Sequence, residues 1–329
     1  MNGNRKALGD QAMSTAERHA CFPDTRAAGA PRWRDAVAEL AGLRGEHREW
    51  LIDLAKICLN MAQGLYVASA RSVGIIDFPV PLNSAMRKTG CRTIRHYFIS
   101  GINSYLPIAI MALHRKVALD RPIAVLDFGC GVCRQLLHFT RHYPNARYFA
   151  CDIDYTLVDF VKKNYPSVEA GLTSFQPPLK YDDDSMDMIY SVSTFSHFGP
   201  DDQKAWLVEL HRVLKPGGHC FLTTEGWKAY MTGGLSTLFA DDAEAAAALL
   251  AAEGILYKEY AFLKSNLDHR HLSPKVNRVH GIKGTYGNTV MTPDFIRKDW
   301  PRFGFEVVDI IEGVIDYRQD LIVLCKPNA

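Results

Sequence analysis

A chain of 329 residues that is 47% hydrophobic, 22% charged and 11% aromatic has the composition of a globular protein, which excludes collagen-like, disordered and disulfide-scaffold classes. Its 38 Lys and Arg against 36 Asp and Glu leave a formal net charge of +2. That balance offers no broad cationic field to a phosphate backbone, so nucleic acid is not expected as a partner.

Residues 1–32 mix Gly, Pro, Ala and charges without a period and read as a flexible lead-in. Neither a secretory leader nor a run of ~20 apolar residues occurs, so membrane insertion is not expected. Eight cysteines without repeated spacing read as reduced thiols of a cytoplasmic protein. From Asp35 onward Val37, Leu40, Leu43, Trp50, Leu54, Ile57 and Met61 recur at helical spacing and begin a helical N-terminal extension over 33–119. The segment Phe78-Pro-Val-Pro-Leu82 is extended, because each proline fixes its own φ and biases its predecessor away from the helix. Arg92–Gly101 and Ser104–Leu119 read as two further helices. A first strand at Ile123–Phe128 stops at Gly129-Cys130-Gly131, and helical spacing follows over Arg134–His142. Strands at Arg147–Cys151, Val168–Leu172, Met186–Ser191 and His219–Thr224 alternate with helices at Leu157–Asn164 and Asp202–Leu214, which predicts a parallel sheet covered on both faces. Residues 226–291 are too many for a loop; with a helix over Asp241–Glu253 stopped by Gly254, they read as a cap over the active edge of the sheet. Thr292-Pro293 opens a last helix. Phe305–Val314 and Leu321–Cys325, joined by Asp316–Asp320, form an antiparallel hairpin. Residues 120–329 therefore read as one sheet domain with the cap inserted.

A strand that ends in glycines lets a ligand approach the backbone, and the helix start beyond it offers unpaired N–H groups. Asp152 ends the next strand, twenty-one residues past Gly131, where an acidic side chain accepts two hydrogen bonds from a ribose diol. Asp154 is better read as the N-cap of the following helix. A dinucleotide site wants a small third residue so that its helix packs close to the pyrophosphate, but that position is Arg134. Arg134 and Asp127 suit a zwitterionic amino-acid moiety instead.

With Val125-Leu-Asp-Phe-Gly-Cys-Gly131 and Asp152, the segments Pro178–Asp187 before the fourth strand and Leu214-Lys-Pro-Gly-Gly218 before the fifth complete four ordered motifs. In these the chain resembles the class I S-adenosylmethionine (SAM)-dependent methyltransferases, over about 115–228 and 292–327. The resemblance implies an α/β, Rossmann-like seven-stranded sheet in the order 3-2-1-4-5-7-6, last strand antiparallel, with helices on both faces. SAM would lie across the C-terminal strand ends and leave as S-adenosylhomocysteine. Carried over by position, Asp127 and the backbone of Phe128, Gly129, Cys130 and Gly131 hold the methionine part, beside Arg134, which is read as cofactor-binding from its charge. Asp152 takes the ribose, Ile153 the adenine face, and Thr173, Ser174 and Phe175 the adenine edge. Ser191 and Thr194 face the sulfonium and the substrate. Cys133 stands where a third glycine is common, which bears on the tightness of that turn. The Pro-x-Pro connector, the helix holding Gly90–Gly101 and Gln319-Asp320 resemble a bacterial subgroup, which implies a small-molecule acceptor such as a metabolite or a glycan or lipid precursor.

His197, after the fourth strand, is the candidate general base, because imidazole titrates near working pH; His269, His271 and His280 in the cap compete for that role. Trp227 and Tyr286 are candidates for the acceptor pocket, and Arg95 and Tyr97 for the cofactor carboxylate or the substrate. Cys130-x-x-Cys133 and the pair His138 and His142 have metal spacing without a third ligand, so no metal is expected. The sequence thus reads as a methyltransferase acting on an oxygen or nitrogen nucleophile. A nicotinamide-dependent oxidoreductase and a non-catalytic SAM-binding scaffold are the alternatives.

Overall fold

Short β-branched and apolar runs punctuated by Gly, Pro and Asp build the strands, and apolar residues at helical spacing build the layers that cover them. The computed structural model describes residues 65, 67–69, 71–72, 76–232, 239, 243–259 and 286–328, all within the unit Leu59–Ala329. The lead-in 1–32, the helices read between 35 and 61, and His269, His271 and His280 lie outside the described residues.

The described strands are β1 (Ala124–Phe128), β2 (Arg147–Asp152), β3 (Val168–Leu172), β4 (Met186–Ser191), β5 (Leu214–Glu225), β6 (Ile255–Glu259), β7 (Gly287–Met291), β8 (Glu306–Ile315) and β9 (Gln319–Cys325). Seven of them follow the predicted arrangement: β1 to β5 are parallel in the order β3-β2-β1-β4-β5, β9 pairs antiparallel with β5, and β8 closes the edge against β9. Among the described residues, however, the sheet has nine strands, two more than the seven expected. The insertion, expected only as a cap, contributes the antiparallel pair β6 and β7 to the sheet itself. These strands escaped the sequence reading because β7 opens with Gly287 and Asn288, residue types depleted in strands. The last pair between β4 and β5 is Ser191 with Leu222, and β7 joins β5 further along, at Glu225 with Val290. Because β9 already occupies the other side of Glu225, through Gln319, β7 takes the side of β5 that β4 has left.

The helices are α1 (Asn83–Lys88), α2 (Ile94–His114), α3 (Leu136–His142), α4 (Tyr155–Asn164), α5 (Pro200–Val213), α6 (Trp227–Thr232), α7 (Ala243–Glu253) and α8 (Pro293–Asp299). Where two helices were read before the sheet, α2 is continuous through Gly101. A Cβ there would lie 2.5 Å from the Arg134 carbonyl oxygen, so a residue without a side chain lets α2 pack onto the segment leading into α3. Asp154 caps α4 by accepting from Thr156 N–H, and Thr292 caps α8 by accepting from Phe295 N–H. Among the described residues no helix is long and apolar enough to cross a membrane.

Alternation along the strands divides the core into two layers. Leu126, Ile189, Leu222 and Ile322 face Trp206, Leu207 and Leu210 of α5. Val125, Met188, Phe221 and Val323 face Ile108 and Ala112 of α2 and Leu136 and Phe139 of α3. Each fully buried large apolar side chain contributes roughly 1.5–3 kcal/mol. Together these layers set the C-terminal strand ends in fixed register, and the functional site is built on them.

Candidate functional site

The glycine turn after β1 is tied to β2 at both ends of its loop. Gly129 N–H and Cys130 N–H both donate to the Cys151 carbonyl, at 2.9 and 3.0 Å, and Gly131 N–H donates to Asp152 Oδ2 at 2.9 Å. Asp152 Oδ1 accepts from Asp154 N–H at 2.8 Å. Gly129 and Gly131 have φ of 76° and 54°, the left-handed region that glycine enters without a Cβ penalty. Cys133, in place of the third glycine, also adopts a left-handed φ of 59° and is fully buried, its N–H donating to the Cys130 carbonyl at 2.8 Å. The small thiol therefore accommodates the turn.

A cavity of about 440 Å³ opens over this turn, within the range of about 300–1,000 Å³ typical of small-molecule sites. One end is walled by Phe128, Gly129, Cys130, Gly131, Arg134, Asp152, Ile153 and Thr173–Phe175, together with Lys88, Thr89 and Gly90. The other end, over β4, β5, β7 and β9, is walled by His197, Glu225, Tyr286, Asn288, Arg318 and Gln319, and Thr194, whose side chain packs against Gly129, stands between the two. Of the residues expected from the sequence, Asp127 and Ser191 do not line it. Asp127 is buried behind the turn and accepts from the Tyr190 hydroxyl at 3.0 Å; Ser191 donates to the Phe128 carbonyl at 2.7 Å. Arg95 is exposed, Tyr97 is buried with its hydroxyl donating to the Val132 carbonyl at 3.1 Å, and Trp227 packs edge-on against Tyr230. None of these three reaches the cavity. Tyr286 does, its ring stacked on His197 with centroids 4.8 Å apart.

Lys88, Thr89, Glu225, Asn288 and Arg318 were not singled out from the sequence. Lys88 belongs to α1 and reaches across to Asp154 Oδ2 and Thr156 Oγ1, both at 2.7 Å; only Gly90 and the helix after it carried any signal in that region. Arg318 Nη2 donates to Glu225 Oε1 at 2.5 Å, an ion pair spanning β5 and the β8–β9 turn that no local spacing announces.

The electrostatics follow from burial. Burial pushes the Asp127 carboxyl up to about 7, against the opposing Tyr190 hydrogen bond, and pushes Asp152 up to about 6, against its two backbone donors. The thiol of Cys130 is raised well above its usual value by its contact with Cys133 and by burial, and burial likewise raises Cys133. Protonated thiols are poor metal ligands. His197 Nδ1 lies 3.0 Å from the Gly287 carbonyl. A carbonyl only accepts, so Nδ1 carries the proton and the lone pair of the neutral ring is on Nε2.

The walls fit a nucleoside that carries an amino-acid tail. Asp152 offers carboxylate lone pairs beside the turn, and Thr173 Oγ1 is buried in the cavity wall with no partner among the described residues. Trp206 Nε1 donates to the Phe175 carbonyl at 3.0 Å and holds that edge in place.

Residues 125–218 match the family described as Methyltransferase domain. Among curated relatives, the tRNA N(3)-cytidine methyltransferase METTL6 of Homo sapiens is 30% identical over 105 residues, covering 30% of this chain and 37% of that protein. The malonyl-[acyl-carrier protein] O-methyltransferase of Hahella chejuensis is 24% identical over 127 residues, covering 38% and 44%. A solved SAM-dependent methyltransferase of Methanosarcina mazei aligns at 15% identity and a TM-score of 0.45, covering 66% of this chain and 97% of that one. The chain thus spans less than half the length of the two curated relatives. The METTL6 match overturns the expectation that nucleic acid is excluded and the acceptor purely a small molecule. Net charge summed over a whole chain does not describe the charge of any one pocket or patch, and that is where the composition argument failed.

Proposed function

Because this chain carries the fold of the class I SAM-dependent methyltransferases, we propose that it transfers a methyl group from SAM to an oxygen or nitrogen nucleophile presented at the His197 end of its cavity. The observation that carries this reading is the joining of the glycine turn to Asp152 across one cavity whose far end is walled by different elements. SAM, when bound, supplies a methyl group already activated by its sulfonium. The backbone of Phe128–Gly131 and Arg134 would hold the amino-acid part, with Asp127 acting from behind the turn as a positioning residue. Asp152 would accept from the ribose, while Ile153 and Thr173–Phe175 would flank the adenine and Thr194 would border the transfer point. The names of the relatives cover both a cytidine of tRNA and a malonyl group on an acyl carrier protein. The described cysteines are free, which suits a cytoplasmic setting. We further propose that 120–329 is the catalytic domain, with 226–291 inserted into it and 33–119 preceding it after the lead-in 1–32.

Binding of S-adenosylhomocysteine by calorimetry, followed by transfer of label from SAM, tests this reading; failure of the homologue to bind would overturn it. The pH dependence has a definite sign. The bound amine favours ionised Asp127 and the ribose hydroxyls favour ionised Asp152, so protons leave on binding and affinity drops as the pH is lowered through the values of about 7 for Asp127 and about 6 for Asp152. From pH 7.5 to 5.5 the Kd is expected to rise roughly fourfold from Asp152 alone, a step that Asp152→Asn should remove.

His197 is proposed as the base for a protonated nucleophile, through Nε2. His197→Ala is expected to lower kcat by about 10²-fold, with the acidic limb of the pH–rate profile lost and SAM affinity unchanged. An unaltered profile would mean that the nucleophile needs no base.

A further inference from the structure

The acceptor end of the cavity contains a salt bridge with unspent hydrogen-bonding capacity. Glu225 is 4% exposed, Arg318 Nη2 donates to its Oε1, and both residues line the cavity. Glu225 Oε2 and Arg318 Nε are buried and have no partner among the described residues. Beside them, Gln319 Oε1 accepts from the Thr223 hydroxyl at 2.9 Å and from the Ser193 hydroxyl at 3.1 Å. With its oxygen so occupied, Gln319, which lines the cavity, keeps its amide N–H groups as donors. The wall of this end therefore holds an unsatisfied carboxylate oxygen as acceptor and guanidinium and amide N–H groups as donors, next to the stacked rings of His197 and Tyr286.

The pair carries no net charge. A free carboxylate or phosphate placed against it gains from Arg318 what it loses to Glu225, so charge gives it little advantage. A neutral planar group that shows an N–H beside a carbonyl oxygen or ring nitrogen satisfies both members at once, as bidentate geometry does elsewhere. We propose that Glu225, Arg318 and Gln319 select the methyl acceptor, and that the group they select is the edge of a neutral nitrogen heterocycle of nucleobase type. This inference rests on the methyltransferase reading and names the acceptor class for the same site. Glu225 and Arg318 act on recognition, whereas His197 acts on the proton.

The test is a calorimetric titration of the full chain, with and without S-adenosylhomocysteine, using cytidine, uridine, malonate and inorganic phosphate as probes. For the wild type a nucleoside should bind at least about fivefold tighter than either anion. Glu225→Gln leaves Arg318 uncompensated, and the order should reverse in favour of malonate or phosphate. Arg318→Lys keeps the charge balance but loses the planar fork, so the nucleoside should weaken by about tenfold without any gain for the anions. Thermal unfolding checks that each variant is folded, and Gln319→Ala, outside the ion pair, should weaken the nucleoside even if the pair proves essential to folding. Anions binding as well as nucleosides to the wild type, or no probe binding, would overturn the proposal, as would an unchanged order in a folded Glu225→Gln. Labelled SAM offered with total tRNA or with free nucleosides identifies the source of the edge, in RNA or as a free base; label in neither overturns the proposal. A protein that fails to bind S-adenosylhomocysteine defeats the methyltransferase reading instead, while the titration without it still reports on this end of the cavity.

Discussion

Replacement of Asp152 by alanine is expected to weaken S-adenosylhomocysteine by about 10²- to 10³-fold and to depress methyl transfer by at least as much. Two effects combine. The carboxylate now accepts from Gly131 and Asp154 N–H groups, and leaving such buried donors unpartnered costs about 1–3 kcal/mol each, part of it expressed as a looser glycine turn. The ribose also loses a charged acceptor, worth about 1.5–3 kcal/mol per hydrogen bond. Each 1.4 kcal/mol is about a factor of ten in affinity, so a loss of ~3–4 kcal/mol in binding gives the stated range. Asp152→Asn keeps one carbonyl oxygen and should recover about tenfold of the deficit. A calorimetric Kd within threefold of the wild type in the alanine variant would show that Asp152 serves the turn alone.

The second large effect is on stability. Trp206 is 1% exposed, its ring centroid lies 4.7 Å from that of Phe128 and 6.2 Å from that of Phe198, and its indole N–H holds the Phe175 carbonyl. Trp206→Ala removes the largest side chain packed between α5 and the sheet and is expected to cost about 3–5 kcal/mol, from lost burial and the cavity left behind. Against a typical total of about 5–15 kcal/mol this is a large share. The thermal midpoint should fall by roughly 10–15 °C, since about 2–4 °C accompanies each kcal/mol in a domain of this size. Trp206→Phe retains most of the packing and loses the hydrogen bond, so it should show about a third of that shift. Because Phe175 borders the cavity, the alanine variant should bind S-adenosylhomocysteine more weakly even at temperatures where it is folded. A midpoint within 2–3 °C of the wild type would mean that the neighbouring aromatic rings collapse into the space.

Much of the scaffold was legible before any coordinates. Val168–Leu172 and Met186–Ser191 are strands at the residues where apolar runs end in turns, and Asp154 and Thr292 are caps because a side-chain oxygen before a helical run has few other local partners. The site was legible where it is built from consecutive residues, as at Phe128–Gly131, or from a fixed offset between adjacent strands, as at Asp152. It was not legible where a side chain's direction decides. Tyr97 turns inward to Val132, Ser191 closes on Phe128, and Arg95 faces out.

Most element types, the parallel core of the sheet and the glycine turn facing Asp152 are written in consecutive positions, because steric preference and periodicity act over a few residues. That β6 and β7 join the sheet at the end of β5, that Lys88 reaches Asp154 across 66 positions, and that Arg318 meets Glu225 across 93 is settled by the folded chain. Such meetings depend on how long loops close and on which side of β5 is vacant beyond Leu222. Those are properties of the assembled sheet, and no short stretch of the chain carries them.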